Sequence, residues 1–124
     1  YNVVILSNSK RNIITIDFLY IGAISDCDVF EYAKTQARYN ERSKKMRIAR
    51  STKKEEINGQ VAATNLYGVN VARLKLSLLE YFFYDASRKM LYSLTLQSSR
   101  QGFFKNKEDF MALLSTFVIT PLEQ

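Results

Sequence analysis

The feature of this sequence best suited to chemistry is a cluster of positive charge between residues 34 and 54. Nine of the chain's 18 basic residues fall in this short segment, against the single acid Glu41. They are Lys34, Arg38, Arg42, Lys44, Lys45, Arg47, Arg50, Lys53 and Lys54. Such a cluster can attract an acidic protein, the phosphates of a nucleic acid or an anionic membrane.

The spacing inside this cluster predicts a docking surface. Lys34, Arg38 and Arg42 stand four residues apart, so on a helix they form one stripe, expected on the face opposite a sheet contact. We predict that an acidic protein partner binds through Lys34, Arg38, Arg42, Lys44, Lys45 and Arg47. A solvated helix face without a ligand is the alternative. Nucleic acid and anionic lipid fit less well, because only Tyr39 interleaves with the basic residues and no apolar anchor accompanies them.

The remaining residue types argue against catalysis. The chain has no histidine, the commonest general base and metal ligand, and its one cysteine and four isolated glycines supply neither a zinc set nor a phosphate-cradling loop. Cys27 stands between Asp26 and Asp28 and is expected to be inert. We predict no enzymatic activity, no cofactor and no metal. An enclosed pocket holding two of four scattered charged groups would overturn this, namely Asp17, Glu55, Glu80 and Arg100.

Two further segments allow two readings each. The aromatic run Leu79–Tyr84 is either core or an exposed patch for a protein partner or second subunit. The polar stretch Gln97–Gly102 either lines a cleft or is an ordinary loop.

The elements that must position these residues begin with a hairpin and a helix. Two short apolar runs, Asn2–Leu6 and Ile13–Ile21, flank turn formers and predict paired strands. Ser25 with an acid three residues on is typical of a helix start, and the helix is expected over Asp26–Arg42.

Strands dominate the middle of the chain. Asn58-Gly59 is a strong hairpin signal, because a type I′ turn needs positive φ at both central positions. Alternation of Leu74, Leu76 and Leu78 with polar residues indicates a long strand with one buried face. The predicted order is a weak strand Met46–Ser51, a strand Gln60–Leu66, a turn Tyr67–Asn70, a strand Val71–Asp85 and a strand Met90–Ser98.

A second helix closes the chain. Asn106 is the expected cap, with Glu108 and Asp109 in the first turn. The helical spacing of Phe110, Leu113, Leu114 and Phe117 indicates a face lying on the core.

These elements predict a single α+β domain over residues 1–124, with an antiparallel sheet of about six strands in the order ββ-α-ββββ-α, covered by helices. The expected core comprises Val29, Ala33, Leu74, Leu76, Leu94, Phe110, Leu113 and Phe117. The alternative fold is a cystatin-like or nuclear-transport-factor-like curved sheet around a helix. That fold would enclose an apolar pocket and would suit a ligand-binding or weakly catalytic domain.

Several short sequence segments, together with this element order, resemble the PsbP/Mog superfamily over most of the chain. They are Glu31-Tyr-Ala-Lys34, Ile57-Asn-Gly59, Lys89-Met-Leu-Tyr-Ser-Leu94 and Phe103-Phe-Lys-Asn-Lys107 with Leu114-Ser-Thr-Phe117. The chain departs from that group in carrying Ser115-Thr-Phe117 where its closing helix ends in Ser-Phe. The resemblance implies an α/β/α sandwich that serves as a docking or assembly factor without a cofactor. It implies no role in photosynthesis or in binding the Ran GTPase, because no residue here matches a motif specific to either.

The start of the sequence favours one location. Tyr1 opens the chain without an initiator methionine, so upstream residues are expected to have been removed by processing or by the choice of boundaries. A processed extracytoplasmic location, periplasmic or lipid-anchored, is favoured over a cytoplasmic one. The longest uncharged apolar run, Phe18–Ser25, is far shorter than the ~20 residues that cross a bilayer.

Overall fold

The structure, a computed structural model, describes residues 3–9, 12–20 and 28–122. The elements in chain order are β1 (Val3–Ser9), β2 (Asn12–Tyr20), α1 (Val29–Ser43), β3 (Arg47–Ile57), β4 (Gln60–Val71), β5 (Leu74–Asp85), β6 (Met90–Ser99) and α2 (Phe103–Leu114). Neither helix in the described ranges has the length and apolar character needed to cross a membrane.

All strands pair antiparallel in one sheet with the order β1-β2-β6-β5-β4-β3. The sheet therefore has β6 and β5 at its centre and β3 at one edge. The predicted class, α+β with an antiparallel sheet, is confirmed. The opening hairpin is tighter than predicted: its pairing continues to Ser9 opposite Asn12, where the sequence indicated a turn over 7–12.

Helices cover both faces of the sheet. Successive strand side chains point to opposite faces, so Leu79, Tyr81 and Phe83 of β5 pack with Phe110 of α2, while Phe82 packs with Val29 and Ala33 of α1. The aromatic run is thus core on two sides, which decides between its two readings. A sheet between two helices also differs from the alternative, a curved sheet around one helix.

Most of the predicted core is buried, with three exceptions. Val29, Ala33, Leu76, Leu94 and Phe110 are buried as predicted. The exceptions are Leu74, Leu113 and Phe117. Leu74 is 37% exposed because it is the first residue of β5 and lines a cleft at the end of the sheet. Leu113 is partly buried. Phe117 lies beyond the end of α2 and is partly buried. Its burial comes from packing on Phe83, with the two ring centroids 4.9 Å apart.

The predicted turn at Tyr67–Asn70 is wrong. Strand β4 continues through it to Val71, and the chain turns at Ala72, whose φ is 55°. Tyr67 is 1% exposed and packs beneath α1. Burial of this large side chain outweighs the local turn preference of Gly68 and Asn70.

Strand β3 is longer than predicted and begins one residue later, covering Arg47–Ile57. Its exposed, charged side chains weaken the alternation by which strands are recognised, and charges on an edge strand discourage pairing with other chains. The predicted turn after it is confirmed, with φ of 53° at Asn58 and 74° at Gly59.

Helix α1 begins at Val29, three residues after the predicted start. Asp28 is its cap: Oδ1 accepts hydrogen bonds from Phe30 N at 3.0 Å and Glu31 N at 3.2 Å. This satisfies two amides that have no partner within the helix. Ser25 and Cys27 lie outside the described residues.

The predicted cap of α2 is also wrong. The helix begins at Phe103 after Gly102, so Glu108 and Asp109 lie beyond its first turn. Asn106 is buried inside the helix and donates from Nδ2 to Ser98 Oγ of β6 at 3.0 Å. Asn106 therefore joins α2 to the sheet instead of capping the helix. No local sequence pattern indicates this contact.

Candidate functional site: a basic surface around the edge strand

The predicted basic stripe flanks the sheet-contact face of α1, whereas the sequence placed it opposite that face. The buried positions of the helix are Val29, Ala33, Ala37 and Asn40. Lys34 and Arg38 each follow one of these, so the stripe is rotated by about 100° from the buried face. Lys34 is accordingly half-buried, while Arg38 and Arg42 are exposed.

A groove of about 360 Å³ separates the stripe from β3. Lys34 and Arg38 supply its charge, and Phe30 and Ile48 part of its apolar lining. Nζ of Lys34 lies 6.0 Å, and Nζ of Lys54 5.6 Å, from the centroid of the Phe30 ring. Both distances suit cation–π attraction. The Phe30 ring therefore joins the cations of α1 to those of the edge strand.

Lys44 and Lys45 are exposed in the connection between α1 and β3. Positive charge here interacts favourably with the carboxyl end of the helix. Nζ of Lys44 lies 6.0 Å from the ring centroid of Tyr39, which is itself 53% exposed. The surface thus carries an accessible aromatic side chain beside its charges.

Arg47 lies on the other side of the sheet. Tyr67 points toward α1, so the neighbouring Gly68 faces the side of α2. A Cβ atom at position 68 would lie 2.4 Å from Nη2 of Arg47, which places this guanidinium over Gly68. The six predicted residues therefore do not share one face: the surface wraps around β3 from α1 to Arg47.

Three cations that the sequence did not assign to the basic surface lie at the same end of the sheet. Arg73 is in the turn before β5, Lys75 is in β5, and Arg100 follows β6; together they line a cleft of about 410 Å³. No acid occurs in the segments that meet there, which are residues 44–47, 67–76 and 97–107. Arg73 and Lys75 lie in the first part of the predicted strand Val71–Asp85, and Arg100 follows the predicted strand Met90–Ser98, but only the strand order shows that these regions are neighbours.

The described residues contain a single ion pair, and it lies at the opposite end of the sheet. Arg88 Nη1 is 2.6 Å from Asp85 Oδ2. Burial alone would raise the pKa of Asp85, yet hydrogen bonds from Ser87 and Arg88 outweigh it and bring the pKa below its ordinary value. No carboxylate within the described ranges lies at ion-pair distance from the basic surface.

A buried polar cluster fixes α1 to the sheet. Asn40 Nδ2 donates to Tyr67 Oη at 3.1 Å. Asn65 Nδ2 donates to the Ala33 carbonyl at 2.9 Å and to Glu80 Oε1 at 3.2 Å. These contacts link the helix backbone and one of its side chains to β4 and β5, and so set the position of the stripe.

Burial shifts two acids of this cluster. It raises the pKa of Glu80, and hydrogen bonds from Tyr67 and Asn65 offset only part of that rise. Burial, followed by the nearby Glu80, raises the pKa of Tyr67. Sequence reasoning treated Glu80 as one of several scattered acids, since nothing local distinguishes it.

The carboxylates considered for catalysis are kept apart. Glu55 accepts a hydrogen bond from Tyr81 Oη at 2.8 Å on the α2 side, whereas Glu80 lies on the α1 side. Burial and then the bond to Glu55 raise the pKa of Tyr81 to about 12. The side chain of Asp17 lies outside the part of the protein that the structure describes. Within the described ranges, no three potential ligands group together for a metal.

A groove of about 710 Å³ occupies the end of the sheet opposite Arg73, Lys75 and Arg100. Val61, Tyr84 and Ile119 supply part of its apolar wall, and Asp28 and Asp85 line it as well. It lies at the strand ends and opens to solvent, unlike the deep cone that the alternative fold requires.

Solved structures share the fold, although no protein-family model matches the sequence and curated proteins show no significant match. PA94 from Pseudomonas aeruginosa, a protein of unknown function described as a candidate regulator, aligns with a TM-score of 0.73 at 17% identity over 98% of this chain and 83% of PA94. Cyanobacterial PsbP (CyanoP) from Synechocystis sp. PCC 6803 aligns with a TM-score of 0.67 at 16% identity, over 90% of this chain and 69% of CyanoP. The chain therefore has a PsbP-like α+β fold, which confirms the resemblance at the level of the fold.

Proposed function

We propose that this domain is a non-catalytic binding or assembly module that docks on an acidic protein partner. Its docking surface comprises Lys34, Arg38, Arg42, Lys44, Lys45 and Arg47. Both similar structures carry names other than those of enzymes, one a candidate regulator and the other PsbP. A binding module is consistent with the names of these two structures.

The observation that carries the proposal is the excess of positive charge beside α1. Arg38, Arg42, Lys44 and Lys45 are exposed, and no described carboxylate lies at ion-pair distance from them. A surface of one sign raises the encounter rate with an oppositely charged protein. Exposed ion pairs contribute only ~0.2–1 kcal/mol each, so affinity needs short-range contacts as well.

Those contacts come from apolar side chains around the stripe. The aromatic run Leu79–Tyr84 is in the core and is not free to supply them. The groove beside Phe30 and Ile48, together with the exposed ring of Tyr39, offers apolar area next to the cations. A partner segment with acidic side chains around an apolar one matches this arrangement better than a nucleic acid, which would need several stacking aromatics.

The test is a charge reversal of the stripe. The variant Lys34→Glu/Arg38→Glu/Arg42→Glu is compared with the wild type in capture of a partner from the protein's own cell extract. Association rates with the captured protein are then measured across a salt series. We expect the variant to associate several-fold more slowly at low salt, with the difference shrinking as salt screens the charges.

The matched control reverses three cations elsewhere, Lys89→Glu/Lys105→Glu/Lys107→Glu, and carries the same net charge. It should associate at nearly the wild-type rate, and both variants should keep the wild-type melting temperature. Equal association rates for wild type and stripe variant at every salt concentration would show that the stripe is merely solvated. A captured nucleic acid, or binding to anionic vesicles with the same stripe dependence, would refute a protein partner.

A further inference from the structure

A row of very small residues crosses the α2 side of the sheet at its cationic end. Gly68 lies opposite Arg47 in β3 and opposite Ser77 in β5, and Ser77 lies opposite Ser98 in β6. Gly68, Ser77 and Ser98 are all buried. Adjacent strands are about 4.8 Å apart, so the row is a short, polar floor across three strands.

Two guanidinium groups converge over this floor. A Cβ at position 68 would lie 2.4 Å from Nη2 of Arg47 and 3.1 Å from Nη2 of Arg100. The backbone of Gly68 has no positive φ that would require glycine. A side chain at position 68 would have to displace these guanidinium groups, so glycine here leaves room for both cations.

Arg100 is held in this place by the protein. Its backbone N–H donates to the Lys75 carbonyl at 3.0 Å, and its Nη2 donates to the Leu76 carbonyl at 3.2 Å and lies 3.5 Å from Asn70 Oδ1. All these acceptors are neutral. The two like charges therefore stand side by side with no described carboxylate between them, an arrangement that disfavours the empty state and favours a bound anion.

The chemistry of the anion follows from the donors. A guanidinium offers a planar fork that matches the oxygens of a phosphate or carboxylate, and two forks converging on one point match a doubly charged tetrahedral group better than a single carboxylate. The adjoining cleft adds Arg73 and Lys75 as further cations, with Leu74 and Gln101 available to an organic substituent.

We propose that Arg47 and Arg100 form a binding site for a phosphate group, either inorganic phosphate or the terminal group of a soluble phosphomonoester. The site shares Arg47 with the docking surface but lies apart from the stripe Lys34, Arg38 and Arg42 on α1, so different variants test the two proposals. Gly68 is part of the site, because the absence of a side chain at this position lets both guanidinium groups reach the same phosphate.

Isothermal titration calorimetry with inorganic phosphate and with phenyl phosphate tests the proposal. Saturable one-to-one binding of at least one of the two is expected at low salt. Tighter binding of phenyl phosphate would identify the monoester as the natural class, and equal or weaker binding would identify inorganic phosphate. Arg100→Gln and Arg47→Gln should each weaken binding by about tenfold, the range expected for one charge-assisted hydrogen-bonding partner.

The decisive variant is Gly68→Ala, which leaves the net charge unchanged. The added methyl must displace the flexible end of Arg47, so the fold should persist while affinity falls by a factor similar to that for Arg47→Gln. Lys89→Gln removes one charge in the turn between β5 and β6, at the opposite end of the sheet, and should bind phosphate like the wild type. Thermal melting of each variant checks that it is folded.

Three results would overturn the proposal: no saturable binding of either phosphate, wild-type affinity in Gly68→Ala, or an equal loss in Lys89→Gln. Acetate or an acidic peptide binding with the same dependence on Gly68, while both phosphates fail to bind, would assign the pair to a carboxylate instead. The stripe variant tests docking alone, since it leaves Arg47, Gly68 and Arg100 intact.

Discussion

Glu80 brings a carboxyl group into the interface between α1 and the sheet, where it is the acceptor for Asn65. Burial raises its pKa above the ordinary value of 4.5, so the folded protein retains a proton that the unfolded chain releases. Stability from this group is therefore fully present below that ordinary value and is lost as the pH rises through the raised pKa. The unfavourable free energy of burying the Glu80 carboxylate therefore acts on the contact between α1 and the sheet, which sets the position of the stripe.

We accordingly expect Glu80→Gln to flatten the dependence of stability on pH. Urea unfolding of wild type and variant at pH values of about 4 to 8 measures this, because stability changes wherever the two states bind different numbers of protons. The wild type should lose stability upward from the ordinary pKa, and the variant should lose less. Glu56→Gln, at an exposed position of β3, is the control. A parallel loss in wild type and Glu80→Gln would show that another group carries the pH dependence.

At the scale of elements, the β3–β4 turn does more than reverse the chain. Asn58 Nδ2 donates to the carbonyls of Leu114 at 3.2 Å, Ser115 at 2.7 Å and Phe117 at 3.3 Å. These carbonyls belong to the end of α2 and the segment after it, where backbone acceptors have no partner within the helix. The turn therefore caps a helix that is distant in sequence.

Substitutions at Asn58 should separate its two roles. Asn58→Gly accepts the positive φ but removes the donor, and it should reduce the free energy of unfolding by about 1–2 kcal/mol. Asn58→Asp keeps the side-chain shape but turns a carboxylate toward the carbonyls at the negative end of α2, so it should cost more. Urea denaturation ranks the variants. If Asn58→Gly is as stable as the wild type, the capping contact has no energetic weight.

At the scale of the whole molecule, the most stable part should be the centre of the sheet. Strand β5 pairs with both β4 and β6, and its Tyr81, Phe82 and Phe83 are buried between the two helices. The edge strand β3 has a neighbour on one side only. Local openings are least favourable where burial and pairing are both complete.

Native-state hydrogen exchange should therefore show the slowest amides at residues 81–83 and faster exchange in β3. Phe110→Ala removes a fully buried ring packed on Tyr81 and should lower the protection of these amides by roughly 3–5 kcal/mol. Thr116→Ala, at an exposed position after α2, should leave them nearly unchanged. Equal exchange rates in β5 and β3 would contradict this distribution of stability.

The sequence predicted about half of the candidate site. It identified the cations of residues 34–54 and the stripe on α1, because composition and helical spacing are visible locally. It identified Val29 and Ala33 correctly on the side of α1 that meets the sheet, but it placed the stripe opposite that side, whereas Lys34 follows Ala33 by one position and lies only about 100° away. It also missed Arg100 as the neighbour of Arg47, which lies 53 positions away and approaches only across the strands.

The sequence by itself determined the antiparallel α+β class, the Asn58-Gly59 turn and a core containing Val29, Leu94 and Phe110, because backbone preference and the periodicity of apolar residues act over a few residues. Only the tertiary structure decided that β4 runs through Gly68, that Asn106 joins a helix to a strand rather than capping the helix, and that two arginines meet over a glycine. These features depend on which strands are neighbours and which faces are covered. Such long-range packing can outweigh local preferences of a few tenths of a kcal/mol to about 1 kcal/mol per residue, and the local pattern carries no record of it.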